Sequence, residues 1–281
     1  MTKAGQGSSQ SLSPRETRAR RARRARALDA ALFAACLAAL AWIVLRGAQA
    51  MGYNWQWFRV PRYLWRIVDG EVILGALIKG LIVTLQISAL AMLCAAAFGL
   101  VTALLRLSRS PVGRALAYGY IEIARNTPLL LQVLVFYFII AYILGISRFW
   151  AGVLSLAFYE GAFAAEIIRG GVLAVRKGQW EAARSLGLGP FDTYRDVILP
   201  QALPLMLPPM AGVLVNLVKH SSIVSAIAIF DLTTEGRTIV ADTFMAFEIW
   251  LTVAGIYLVI TLSLSLAVAG LERRYGFARG H

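Results

Sequence analysis

Six stretches of the chain, 28–48, 73–105, 115–144, 149–171, 205–229 and 247–271, are long, apolar and sparsely charged. A bilayer core takes about 20 such residues per helix. In lipid every backbone polar group must be satisfied within its own segment, which leaves helices as the economical solution for runs of this length. The chain therefore reads as an all-α membrane protein with about six transmembrane helices. The second and third runs exceed one bilayer, so tilt or extension beyond it is expected. Composition agrees, with 59% hydrophobic and 15% charged residues. A soluble domain carries roughly 25% charged residues, and a soluble enzyme could not cover its surface with so few polar groups.

The two cysteines, Cys36 and Cys94, lie inside apolar runs, and the two histidines, His220 and His281, stand far apart. Neither arrangement has metal-ligand or disulfide-framework spacing, so no metal and no cofactor in this chain are expected. The net charge of +13 is concentrated at the N-terminus, where Lys3, Arg15, Arg18, Arg20, Arg21, Arg23, Arg24 and Arg26 face one acid, Glu16. Such a tail (1–27) can grip nucleic acid, but an apolar run follows at once from Leu28, and the positive-inside rule explains the charge without a nucleic-acid partner. With the N-terminus inside, the inner segments beyond the tail hold Arg106, Arg109, Arg114, Arg176, Lys177, Arg184, Arg195, Arg273, Arg274 and Arg279. The outer segments hold Arg59, Arg62, Arg66, Arg148 and Arg237. Both termini are expected in the cytoplasm. Ala48-Gln49-Ala50 also fits a signal-peptidase site, but the apolar region before it is longer than a signal peptide needs, which favours an uncleaved anchor. The outer aromatics Tyr53, Trp55, Trp57, Phe58, Tyr63 and Trp65 read as an interfacial belt or a short amphipathic helix.

The long inner loop, 172–204, carries the most specific pattern. Residues 179–186 favour helix, Gly187 or Gly189 offers a left-handed stop, and Pro190 with Asp192 suits the start of a second helix. Pro200 and Pro204 are expected to limit that second helix before the next span. The product is a helix–turn–helix projecting from the cytoplasmic face.

Within it, Glu181, Ala182, Ala183, Gly187, Val197, Leu199 and Pro200 stand at the spacing E-A-A-x3-G-x9-[IV]-x-L-P. This resembles the EAA loop of binding-protein-dependent ABC importer permeases, with Val197 where isoleucine is usual. Arg125-Asn126-Thr127-Pro128, Ala165 to Gly171, and Lys219-His220-Ser221-Ser222 are similar to the polar amino acid uptake branch. Asn126 stands where glycine is frequent, and His220 where an acidic or amide residue is. The resemblance covers about 75–275 and implies a five-helix type I permease core (73–275). Residues 28–72 are then an added helix and external segment, and 276–281 a C-terminal tail. It further implies that the EAA hairpin docks in an ATP-binding subunit dimer through Glu181, Ala182, Ala183, Gly187, Leu199 and Pro200. ATP and Mg would belong to that partner, since this chain lacks a G-x4-G-K-[ST] loop. A second permease chain, a periplasmic or extracellular amino acid-binding protein, surrounding membrane lipid and a bacterial inner-membrane location complete the expectation.

Ionisable groups at membrane depth are costly and functional by default. Glu160 falls near the middle of the fourth run and Lys219 about halfway along the fifth. With His220, Ser221 and Ser222 they are candidates for one aqueous cavity suited to a zwitterion; a structural Glu–Lys pair is the duller alternative. Glu122 with Arg125, and Glu166 with Arg169, share helix faces and read as ion pairs. Pro128 removes the donor to the carbonyl of Ala124 and kinks the third run, which makes Asn126 and Thr127 substrate-path candidates. Lys79 most simply snorkels. A gradient-driven secondary transporter would show an inverted repeat, and none is legible. A nucleic-acid or signalling protein leaves the EAA pattern unexplained, and a membrane enzyme lacks a nucleophile–base set. Glutamate, aspartate, glutamine and basic amino acids all remain open as substrates.

Overall fold

The computed structural model describes residues 14–50 and 52–274. Residues 1–13 of the basic tail and the C-terminal tail 276–281 lie outside the described residues. The chain divides at Trp55 into two units. The first holds α1 (Pro14–Ala50), so the helix begins inside the basic segment; its apolar stretch is Leu28–Ile43. Arg46 stacks over Trp42 within it.

The second unit opens with a short helix, α2 (Pro61–Leu64), and an antiparallel hairpin, β1 (Trp65–Val68) and β2 (Glu71–Leu74). The hairpin departs from the all-helical expectation for this segment. Its cause is local: Ile67, Val68, Val72 and Ile73 are β-branched, and Asp69-Gly70 takes positive φ at both positions, as a two-residue hairpin turn requires. The apolar helices follow: α3 (Ala76–Leu107), α4 (Pro111–Asn126), and α5 (Leu129–Val135), which continues through a π turn, Phe136–Ile140, into α6 (Ala141–Leu144). Next come α7 (Arg148–Ala174), α8 (Lys177–Ser185), α9 (Pro190–Asp192), a π turn Thr193–Ile198, and α10 (Leu199–His220). A 3-10 turn (Ser221–Ile227), α11 (Leu232–Thr243) and α12 (Ala246–Arg274) complete the unit. Among the described residues four helices are long and apolar enough to cross a membrane: α3, α7, the run Pro190–Ile227, and Ala246–Gly270. A bent pair, Pro111–Asn126 with Leu129–Leu144, makes a fifth candidate.

Pro200 and Pro204 do not limit the second helix of the loop. It runs without interruption from Pro190 to Ile227. The π turn at Thr193–Ile198 directly precedes Pro200 and widens the coil where the proline ring must fit. Pro204, Pro208 and Pro209 are then carried inside the helix.

The core lies between α3, α5, α7 and α10, where Ile87, Val133, Leu156 and Leu217 meet. Small residues permit this closeness. A Cβ on Gly99 of α3 would lie 2.7 Å from Ala164 Cβ on α7, and one on Gly80 would lie 2.8 Å from the Asp231 carbonyl oxygen. The two ends of α3 differ in company. Leu77 packs with Leu232 and Ile249 of α11 and α12. Leu107 packs with Val172, Ile198, Trp180 and Tyr194 around the α8–α10 elbow. At the α11 end, Asp231 is fully buried and caps the helix by accepting from the Thr233 and Thr234 N–H groups. Burial pushes its carboxyl above the usual carboxylate range, against those hydrogen bonds. Burial also raises Glu235, and the nearby Lys79 ammonium pulls it back, so Lys79 has an acid for a neighbour.

Candidate functional site

Two regions hold the sequence-derived candidates. The first is the elbow. Helix α8 ends on a left-handed Gly187 at φ +75°, and Gly189 instead stands at the N-terminus of the next helix with Pro190 in its first position. The Leu188 N–H reaches the Ala183 carbonyl at 3.1 Å and the Gly187 N–H reaches that of Arg184 at 2.9 Å. This pairing closes the helix end and sets the turn. Trp180 meets Tyr194 edge to face across the elbow, and Ala183 is buried between its arms. Ala182 and Glu181 point outward, and Glu181 pairs with Lys177 at 3.3 Å. Leu199 and Pro200 are exposed where the long helix leaves the elbow. Sequence reasoning missed Leu186 and Phe191, which are exposed apolar side chains flanking the turn. Their signal was an apolar residue on each side of a polar loop's glycines.

The second region is a polar cluster in the apolar body. Glu160 is the thirteenth residue of the 27-residue α7, so it lies ~20 Å from either end. It is 1% exposed, and its Oε1 lies 2.8 Å from His220 Nδ1 on α10. His220, not Lys219, is therefore its partner. Tyr159 meets the imidazole edge to face. Lys219, one residue away, is exposed, as is Asn216 one turn earlier. Ser221 is buried and donates to the Val218 carbonyl, while Ser222 donates to that of Lys219.

Asn126 and Thr127 sit apart from this cluster, at the break between α4 and α5. The two halves there differ in direction by 110°, far more than the kink expected from Pro128. The reason is how the broken backbone is satisfied. Buried Gln132 donates from Nε2 to the Ala124 carbonyl at 2.8 Å, the group Pro128 leaves without a donor, and to the Thr127 carbonyl at 3.0 Å. The side chain of Asn126 donates to the Glu122 carboxylate at 2.7 Å, and Thr127 Oγ1 donates to the Ile123 carbonyl. Glu122 consequently does not pair with Arg125, which lies over the Phe163 ring. Glu166 and Arg169 do pair, at 2.8 Å, and Arg106 of α3 joins them at 3.2 Å.

Several apolar spans enclosing a buried polar contact, with a structured elbow at one end, mark a multi-span membrane protein. The chain belongs to the family of binding-protein-dependent transport system inner membrane components, whose profile matches residues 95–277. It is 40% identical over 201 residues to the glutamine transport system permease protein GlnP of Escherichia coli (strain K12), covering 70% of this chain and 92% of that one. It is 38% identical to the probable glutamine ABC transporter permease protein GlnM of Bacillus subtilis (strain 168), covering 68% and 89%. Among solved structures it matches an amino acid ABC transporter with histidines at 40% identity and a TM-score of 0.66, over 71% and 94% of the two chains. An inward-facing MetNI methionine ABC transporter shares the fold at 22% identity and a TM-score of 0.63, over 71% and 96%. The protein is thus the permease subunit of an ABC importer, not an enzyme, and a gradient-driven mechanism finds no support among these relatives.

Proposed function

We propose that this permease carries a polar amino acid of the glutamine class along the Lys219 face of α10, with both termini cytoplasmic and the chain in a bacterial inner membrane. The observation that supports the path is the Glu160–His220 contact. Because Glu160 is at mid-helix, that contact sets His220 and its neighbour Lys219 level with the middle of α7, ~20 Å along the helix from either of its ends. A lysine's four-carbon stem cannot snorkel so far. An exposed ammonium at that depth faces water or a protein partner rather than lipid. Lys219 is suited to a substrate α-carboxylate and Asn216 to an amide, with Glu160 and His220 fixing α10 against α7. Asn126 and Thr127 stand at the broken span as a second candidate stretch of the path, and Ser221 and Ser222 shape the helix end. Glutamine is favoured by the names of the relatives.

A second permease chain would close the path, and a binding protein would deliver substrate to the face opposite the elbow. The elbow would dock in an ATP-binding subunit dimer. Ala182 offers a small exposed surface for close approach, and the Gly187 turn and the Trp180–Tyr194 contact keep the two arms rigid enough to transmit a push. ATP and Mg bind in that partner.

The test is uptake of labelled glutamine into proteoliposomes containing this chain, its cognate ATPase and its binding protein. ATP-dependent uptake that competes with unlabelled glutamine, and is lost in Lys219→Met, is expected. ATP-dependent uptake of another amino acid with glutamine inert would overturn the substrate, and full uptake by Lys219→Met would overturn the path.

A further inference from the structure

The β1–β2 hairpin is amphipathic in an unusual direction. Register pairs Trp65 with Leu74 and Ile67 with Val72, and residues two apart on a strand share a face. One face is therefore wholly apolar, and all four side chains are exposed, Ile67 by 71% and Val72 by 67%. The other face carries Arg66 and Glu71 beside Val68 and Ile73. An isolated two-stranded hairpin is marginal in water, and an open apolar face makes it more so. Something must cover it.

We propose that this hairpin is a membrane-interface anchor, its Trp65/Ile67/Val72/Leu74 face lying in the headgroup–acyl boundary of the bilayer. Three observations single out lipid as the occupant. The hairpin is continuous with a membrane span: β2 ends at Leu74, and α3 starts at Ala76. Gly75 between them is pinned, with its N–H on the Leu64 carbonyl at 2.8 Å and no room for a Cβ against the Tyr63 backbone. The hairpin thus stays at the depth where α3 leaves the membrane. Trp65 lies on the apolar face itself, and tryptophan favours the zone between headgroups and acyl chains. Finally, the apolar face taken by itself is too small to hold a protein partner. Two cross-strand pairs present far less than the roughly 800 Å² per side of a stable protein interface. The hairpin would hold the α11 end of α3 level in the membrane while the elbow end moves.

The test uses single thiols at positions 67 and 72 of the apolar face, and 66 and 71 of the polar face, with Cys36 and Cys94 replaced by alanine. Each chain is labelled with a polarity-sensitive fluorophore and reconstituted with its ATPase in phosphatidylcholine–phosphatidylglycerol vesicles. Nitroxide placed high on the lipid acyl chain should quench 67 and 72 several-fold more than 66 and 71, and aqueous iodide should show the reverse order. Iodide quenching equal at all four sites would mean that the face lies in water. Quenching of 67 and 72 by neither agent would mean that protein covers them. Either result overturns the anchor, and retained ATPase activity certifies that each labelled chain is folded.

Discussion

Removing His220 should cost more than removing both members of its pair. Glu160 is 1% exposed, and His220 Nδ1 at 2.8 Å is the partner the structure gives its carboxylate. Leaving a buried polar group without its partner costs about 1–3 kcal/mol, more where it is ionised. A third of the His220 side chain meets the exterior, so His220→Leu should cost about 2 kcal/mol. Glu160→Gln keeps shape and a hydrogen bond and should cost about 1 kcal/mol. The double variant Glu160→Leu/His220→Leu leaves no orphaned polar group and should be less destabilised than His220→Leu alone, with a coupling energy of about 1–2 kcal/mol. The assay is SDS-induced unfolding of the reconstituted complex in mixed micelles, taken around the full double-mutant cycle. Additive single effects would show that the two groups do not hold α7 to α10, and the depth assigned to Lys219 would lose its support.

Other outcomes follow from the same geometry. In Gly99→Ala the new Cβ would meet Ala164 Cβ at 2.7 Å, so α3 and α7 must part by about 1 Å, costing about 1–3 kcal/mol of stability. Adding Ala164→Gly should restore most of that in the same unfolding assay; a swap no better than the single variant would refute close packing as the cause. A Cβ on Gly187 meets open space, but its φ of +75° costs an L-residue about 1–2 kcal/mol. Gly187→Val should therefore weaken co-purification of the ATPase and lower substrate-stimulated ATP hydrolysis, Gly187→Asn less so, and unchanged values for Gly187→Val would remove the elbow from coupling. For Asp231, burial raises the folded carboxyl above its unfolded value of 3.8. Its contribution to stability is therefore full below that value and is lost as pH rises through the folded one. Asp231→Asn should flatten this part of the stability–pH curve measured from pH 4 to pH 7, and parallel curves for the two proteins would contradict it.

Much of the fold was legible because bilayer physics ties apolar length to helices, and the runs at 73–105, 149–171 and 247–271 appear as α3, α7 and α12 within a few residues. The elbow was legible for a different reason. Its turn chemistry is local, so Gly187 and Pro190 announce themselves without tertiary information. What failed was whatever depended on a neighbouring helix. Glu122 and Arg125 satisfy the spacing for a pair, yet Asn126 takes the carboxylate and Phe163 the guanidinium. Lys219 looked like Glu160's partner until α7 and α10 were seen together, where His220 takes that place. Gln132 gave no signal in the sequence, since its role of closing the backbone opened by Pro128 depends on the chain turning by 110°. The hairpin was hidden by its aromatics, which suit an interfacial helix equally well. Val68-Asp69-Gly70-Glu71 between two β-branched runs was the cue that identified it.

The most direct measurement is thiol accessibility at position 219. With Cys36 and Cys94 replaced, Lys219→Cys is treated with a membrane-impermeant charged thiol reagent in proteoliposomes holding the whole importer. Labelling from water that blocks uptake, and that is slowed by saturating glutamine with its binding protein, is the expected result. A thiol that stays unlabelled throughout the ATP cycle, or one that is labelled with uptake undiminished, would contradict a substrate path along this face of α10.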